Sequence, residues 1–303
     1  MSDKSPLFLS CMELIAHATE LYTSAKPRNY KFVILHLANS IELILKDRLV
    51  DKGISIYSPK QRSMTIGIWD AFEELNKVGI NIQERPVIEL LIDDRNTIQH
   101  RFGFTNAETV YFYLEYVIAF LKRFLNDEYG LNLIDVLSSH LSNEDLAILG
   151  LSEKKSEEES AIDRLFLISP ESAVMQVFNL IENRFVKLLG ADSNTSSRLI
   201  SFKQRANISH LMHKLSKNGY LNDDSFIKLM ELRVLRNRAV HSADFINEED
   251  SPDWATGITL ARNILSGLNR AIEEGFGSRY KDNESIELSF TDRNSESEKD
   301  TVS

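Results

Sequence analysis

Arg95-Asn96-Thr97-Ile98-Gln99-His100 stands late in one helical stretch, and Arg236-Asn237-Arg238-Ala239-Val240-His241 stands late in another, 141 residues on. The correspondence continues upstream. Asn39-Ser40-Ile41-Glu42 matches Asn179-Leu180-Ile181-Glu182, and Leu75-Asn76-Lys77-Val78-Gly79 matches Leu215-Ser216-Lys217-Asn218-Gly219, each pair 140 residues apart. Three matches in one order and at spacings that agree within one residue mark an internal duplication. The chain is expected to fold as two similar units, 1–128 and 161–280. A helical connector and charged linker at 129–160 joins them, and a disordered acidic tail at 281–303 follows.

Apolar periodicity predicts helices around the matched residues. In the first unit they span 12–22, 29–50, 65–78, 86–102 and 108–126. In the second they span 171–189, 197–217, 225–241 and 254–274. Gly53, Gly79, Gly103, Gly190 and Gly219 follow as stop signals, Pro86 opens a first turn, and Asp223 or Asp224 caps 225–241. Gly (12) and Pro (6) are scarce among 303 residues, which favours helices over a strand-and-turn fold. The predicted fold class is all-α.

Hydrophobic residues make up 43% of the chain, enough for a sizeable core. Cys11 is the only cysteine, so neither an internal disulfide nor a cysteine-based zinc site is expected, and the reading is a cytoplasmic protein. The first ten residues lack a signal-peptide core. The most apolar stretch, 110–121, is interrupted by Glu115 and is too short to span a bilayer. The net charge of −10 argues against a broad basic nucleic-acid surface, yet leaves room for a small site that holds one phosphate.

The duplicated motif carries a specific chemistry. A guanidinium is permanently charged and grips phosphate oxygens with paired donors. An imidazole titrates near neutrality and can give or take a proton. RNA supplies its own nucleophile, the 2′-hydroxyl. Cleavage then needs a base, a cation for the developing phosphorane charge and an acid for the departing 5′-oxygen. Two Arg/His pairs supply all three, with the adjacent Asn as a positioning group. Five residues separate Arg from His, about 140° around an ideal helix, so convergence requires a swung arginine or a helix that ends near the histidine.

With these motifs, both halves resemble HEPN domains, the helical bundles of prokaryotic toxins, abortive-infection proteins and CRISPR-associated RNases. The resemblance rests on Arg95, Asn96 and His100, on Arg236, Asn237 and His241, and on the surrounding 232–241 and 36–46. It covers the helical core of both halves, not the connector or the tail. It implies two tandem HEPN-like bundles packed as an intramolecular pseudo-dimer, with both motifs forming one composite site for metal-independent RNA cleavage. A role in phage defence or toxicity is implied likewise. RNA, single-stranded or tRNA, is then the substrate, a regulatory protein is a further partner, and the chain acts as a monomeric pseudo-dimer or a homodimer. The alternative is a non-catalytic HEPN module serving as an RNA- or protein-binding sensor, adaptor or antitoxin.

Three further residues are candidates for support. Glu42 and Glu182 occupy equivalent positions on apolar helices, where a carboxylate needs a partner. Each is read either as pairing with its motif arginine or orienting its motif histidine, or as making an unrelated surface contact. His36 reads as a satisfied core or cleft histidine. No metal or other cofactor is expected: His210 and His213 read as a solvated face. Tyr111, Phe112, Tyr113 and Tyr116 read as core and not as a base-stacking platform.

Overall fold

The computed structural model describes residues 4–58, 63–100, 105–152, 154–189, 202–240 and 252–276. Among them the regular structure is helical, and Tyr57 and Thr65 form an isolated antiparallel bridge. The fold class is all-α.

The first half contains α1 (Pro6–Thr23), α2 (Pro27–Asp51), α3 (Ile68–Lys77), α4 (Arg85–His100) and α5 (Ala107–Tyr129). α6 (Leu133–Leu137), α7 (Asn143–Ile148) and α8 (Lys155–Ile168) follow. The second half contains α9 (Pro170–Leu189), α10 (Phe202–Lys217), α11 (Ser225–Val240) and α12 (Trp254–Glu273). The four helices α2–α5 thus recur in order as α9–α12. A turn recurs with them. Ile80 N donates to Leu75 O at 3.0 Å, and Tyr220 N donates to Leu215 O at 2.9 Å. Gly79 and Gly219 close these turns with φ of 83° and 75°, a left-handed conformation that a side chain would strain.

By packing, the chain divides into two compact units, and the division runs through α9 between Gln176 and Val177. The first unit takes α1–α8, the start of α9 and the last turn of α11. The second takes the rest of α9, α10, α11 as far as Asn237, and α12.

In the first unit α2 is central, packed by α1, α3, α4 and α5. Val33, Ile34, Leu37, Ile41, Ile44 and Leu45 are buried along it, which explains an apolar pattern running nearly all round the helix. The α2 C-terminus carries a buried ionic cluster. Asp47 accepts from Ser5 Oγ and, at 2.8 Å, from Tyr129 Oη. Arg48 Nε donates to Glu128 at 2.9 Å, and its Nη1 pairs with Asp51. Cys11 is buried in this core, and desolvation, with Asp47 nearby, raises its thiol so that it stays protonated.

The segment after α5 joins the same core. Tyr111 Oη lies 2.9 Å from Gln176 Oε1 and 3.1 Å from the Ile148 carbonyl, and Gln176 Nε2 donates to Ala147 O at 3.2 Å. Tyr22 Oη donates to Ser172 Oγ at 2.9 Å. Removing the hydroxyl in Tyr111→Phe strands a buried amide oxygen. The expected loss is about 1–2 kcal/mol in urea unfolding, and no loss would show that α7 and α9 are not fixed through this bond.

In the second unit α12 is laid against α9 and the 219–222 turn. Arg184 Nε donates to Asn269 Oδ1 at 2.7 Å, with both residues buried. Gly267 packs directly on the Tyr220 carbonyl. Gly257 faces Leu235, which holds α11 against α12.

Candidate functional site

The first motif sits on the last turns of α4. Ile88, Leu91 and Ile92 are buried, and α4 packs on α2 and α5. Asp94 is taken up by Tyr113, whose hydroxyl donates to it at 2.6 Å. Asp93 is exposed and forms no ion pair with Arg95 among the described residues. Arg95 is half-buried. Its Nε is buried without a hydrogen-bond partner, and Nη1 reaches Gln99 only at 3.5 Å, too long for a strong bond. Asn96 and His100 are exposed and lie one turn apart, so they share a face. The helix runs regularly to His100. The residues after it, where fraying was expected, lie outside the described residues.

The second motif sits at the same place on α11. Leu232 and Ala239 are buried beneath it. Arg236 is half-buried, and among the described residues its Nη1 reaches the neighbouring Asn237 Oδ1, at 3.4 Å. Asn237 is exposed. His241 lies outside the described residues. Among the described residues, neither motif arginine forms an ion pair.

The supporting residues divide differently. Glu42 does not pair with Arg95. Its Oε1 accepts from Lys46 Nζ at 2.5 Å, and the same ammonium donates to Thr65 Oγ1 at 2.8 Å. Lys46 is buried and one turn away, so it claims the carboxylate first. Glu182 is half-buried on α9. His36 is half-buried, with Nε2 lying 3.0 Å from Nδ1 of His17 on α1. Sequence reasoning missed His17, because only the packing of α1 on α2 brings the two rings to 4.8 Å.

Comparison of this chain with protein-family models, with curated proteins and with solved structures found no match. Among the described residues, no group of three or more His, Cys, Asp or Glu side chains is placed to hold a metal ion. His210 and His213 are exposed on α10. Tyr111 and Tyr113 are buried core residues, not a platform for bases. No described helix is long and apolar enough to cross a membrane.

The histidine pair makes a pH prediction. Burial, and then the neighbouring His17, hold His36 below its ordinary value of 6.5. A folded pKa below the unfolded one means that the unfolded chain takes up the proton first as pH falls. The stability contribution is full above the unfolded value and is lost in the window beneath it. Melting temperature should fall between about pH 7 and about pH 5, and His36→Gln should flatten part of that fall. A pH profile unchanged by the substitution would remove the pair as a cause.

A second feature was also not foreseen. Phe226, Ile227, Met230 and Val234 are exposed on α11. Their spacing was legible, but the buried Leu229 and Leu232 interleave with them and mask the pattern.

Proposed function

We propose that this chain is a HEPN-class endoribonuclease that cleaves RNA without a metal. Arg95 and Arg236 grip the scissile phosphate. His100 and His241 divide the roles of general base and general acid, and Asn96 and Asn237 position the phosphate or the imidazoles. The base takes the 2′-hydroxyl proton as that oxygen bonds to phosphorus. The bond from phosphorus to the 5′-oxygen breaks, and the acid protonates the leaving oxygen. The products are a 2′,3′-cyclic phosphate and a 5′-hydroxyl end.

The observation that carries this reading is the state of Arg95. A guanidinium with a buried, unpartnered Nε–H bears a desolvation cost that an anionic ligand would offset. It is followed directly by the exposed Asn96 and, five positions on, by the exposed His100, on the helix whose counterpart α11 carries Arg236 and Asn237. The test incubates purified protein with mixed tRNA and mRNA in EDTA and identifies the product ends. Cleavage that yields cyclic phosphates supports the proposal. Folded protein that leaves every RNA intact counts against it. A role in phage defence or as a toxin follows from the HEPN resemblance alone.

The second reading is a binding module, an adaptor or an antitoxin. The exposed apolar stripe of α11 favours it, because such surfaces mark protein contacts. A stable complex with one partner, formed equally by motif variants, would support this reading. Toxicity on expression that depends on the motif histidines would oppose it.

A further inference from the structure

α11 has two apolar faces. Leu229, Leu232 and Ala239 are buried on one. On the other, Phe226 is 41%, Ile227 62%, Met230 41% and Val234 55% exposed. At about 100° per residue these four fall within roughly 100° of arc, opposite the buried face. Arg233 and Arg238 border the stripe on its two sides, and both are exposed. α11 carries Lys228, Arg233, Arg236 and Arg238 against a single acid, Glu231, in a chain of net charge −10. An apolar strip edged with cations fits a partner that is apolar on one side and acidic elsewhere.

We propose that this face of α11 is the docking site of the chain's own acidic segment, residues 282–292. That segment reads Asp282-Asn283-Glu284-Ser285-Ile286-Glu287-Leu288-Ser289-Phe290-Thr291-Asp292. It holds four carboxylates and no cation, and its three large apolar residues alternate. Alternation places all three on one side of an extended chain. Ile286 to Phe290 then spans about 13 Å, and Phe226 to Val234 spans about 12 Å along the helix. The carboxylates are left to meet Arg233 and Arg238.

The position of the tether supports this occupant. Phe276, the last described residue, packs edge-on against Tyr220 with ring centroids 5.3 Å apart, and Tyr220 lies five residues before Ser225, where α11 begins. Ile286 lies ten positions after Phe276, a reach of up to about 33 Å. The segment is therefore held at high effective concentration beside the stripe, an advantage no free partner has. On the ribonuclease reading, the docked segment also lies over Asn237, which falls on the same side of α11 as the stripe. The docking test itself does not depend on cleavage.

The test uses the full-length chain with the photo-crosslinking residue p-benzoylphenylalanine in place of Leu288. The expected product is a crosslink within one chain to Ile227, Met230 or Val234. Its yield should fall about tenfold or more in Ile286→Ser with Phe290→Ser, and also in Arg233→Glu with Arg238→Glu. All four substituted positions are in the tail or exposed, so circular dichroism should be unchanged. Crosslinks spread along the chain, or yields indifferent to both double variants, overturn the proposal. So do crosslinks between isotopically heavy and light chains, which would make a second copy the occupant.

Discussion

Alanine in place of either His100 or His241 is expected to lower RNA cleavage by about 10²- to 10⁴-fold, the range for loss of a general acid or base. Attack by the 2′-hydroxyl and departure of the 5′-oxygen each need a proton transfer, and each motif offers one imidazole. If the motifs act on one phosphate, either single variant loses most of the activity, and the double variant loses little more. If only one unit is catalytic, one histidine is indispensable and the other is not. The context of the second motif, with Arg233 and Arg238 beside Arg236, makes His241 the one expected to remain essential in that case. Equal activity in wild type and both single variants would end the ribonuclease proposal. His100 is exposed, so its removal should leave the melting temperature unchanged and keep the activity readout clean.

Gly267→Ala is expected to destabilise the second unit by ~2–3 kcal/mol, on the order of 5–10 °C in Tm. A Cβ at position 267 would lie 2.3 Å from the Tyr220 carbonyl oxygen and 2.6 Å from Leu221 Cδ2. The carbonyl cannot retreat easily. Its turn is fixed by Tyr220 N on Leu215 O at 2.9 Å, by Arg270 Nη2 on Gly219 O at 2.5 Å and by Tyr220 Oη on Glu274 at 2.8 Å. Gly257→Ala is the matched control on the same helix. Its Cβ would meet only Leu235 Cδ1, at 2.8 Å, the end of a flexible side chain. A rotamer change relieves that contact, and alanine gains about 1 kcal/mol in helix propensity, so the net change should be small. Equal effects of the two substitutions would mean that α12 does not rest on the 219–222 turn as described.

Most of the helical architecture was legible in the sequence. The predicted 29–50 became Pro27–Asp51, 171–189 became Pro170–Leu189, and 225–241 matched Ser225–Val240 among the described residues. Apolar periodicity, prolines at first turns and glycines after last turns are local signals, and a helix is closed by local hydrogen bonds. The first helix was drawn too short, because Ser5 caps it ahead of Pro6 and Phe8 in its opening turn is buried against Tyr129. The candidate residues Arg95, Asn96, Arg236 and Asn237 were named from a repeated spacing, which needs no coordinates, and their role in a site is a proposal.

Sequence by itself marked most of the helical segments, though not α8, whose first turns were read as charged linker, and it set which residue types stand at matched positions. Tertiary structure decided which partner each side chain takes. Glu42 went to Lys46 and not to Arg95, Asp94 went to Tyr113, and His36 found His17 across a helix pair. It also decided that Arg95 keeps a buried Nε without a partner and that α11 leaves a second apolar face uncovered. The physical reason is range. Helix formation depends on residues within about four positions of one another, whereas pairing and burial depend on which helix faces are brought together.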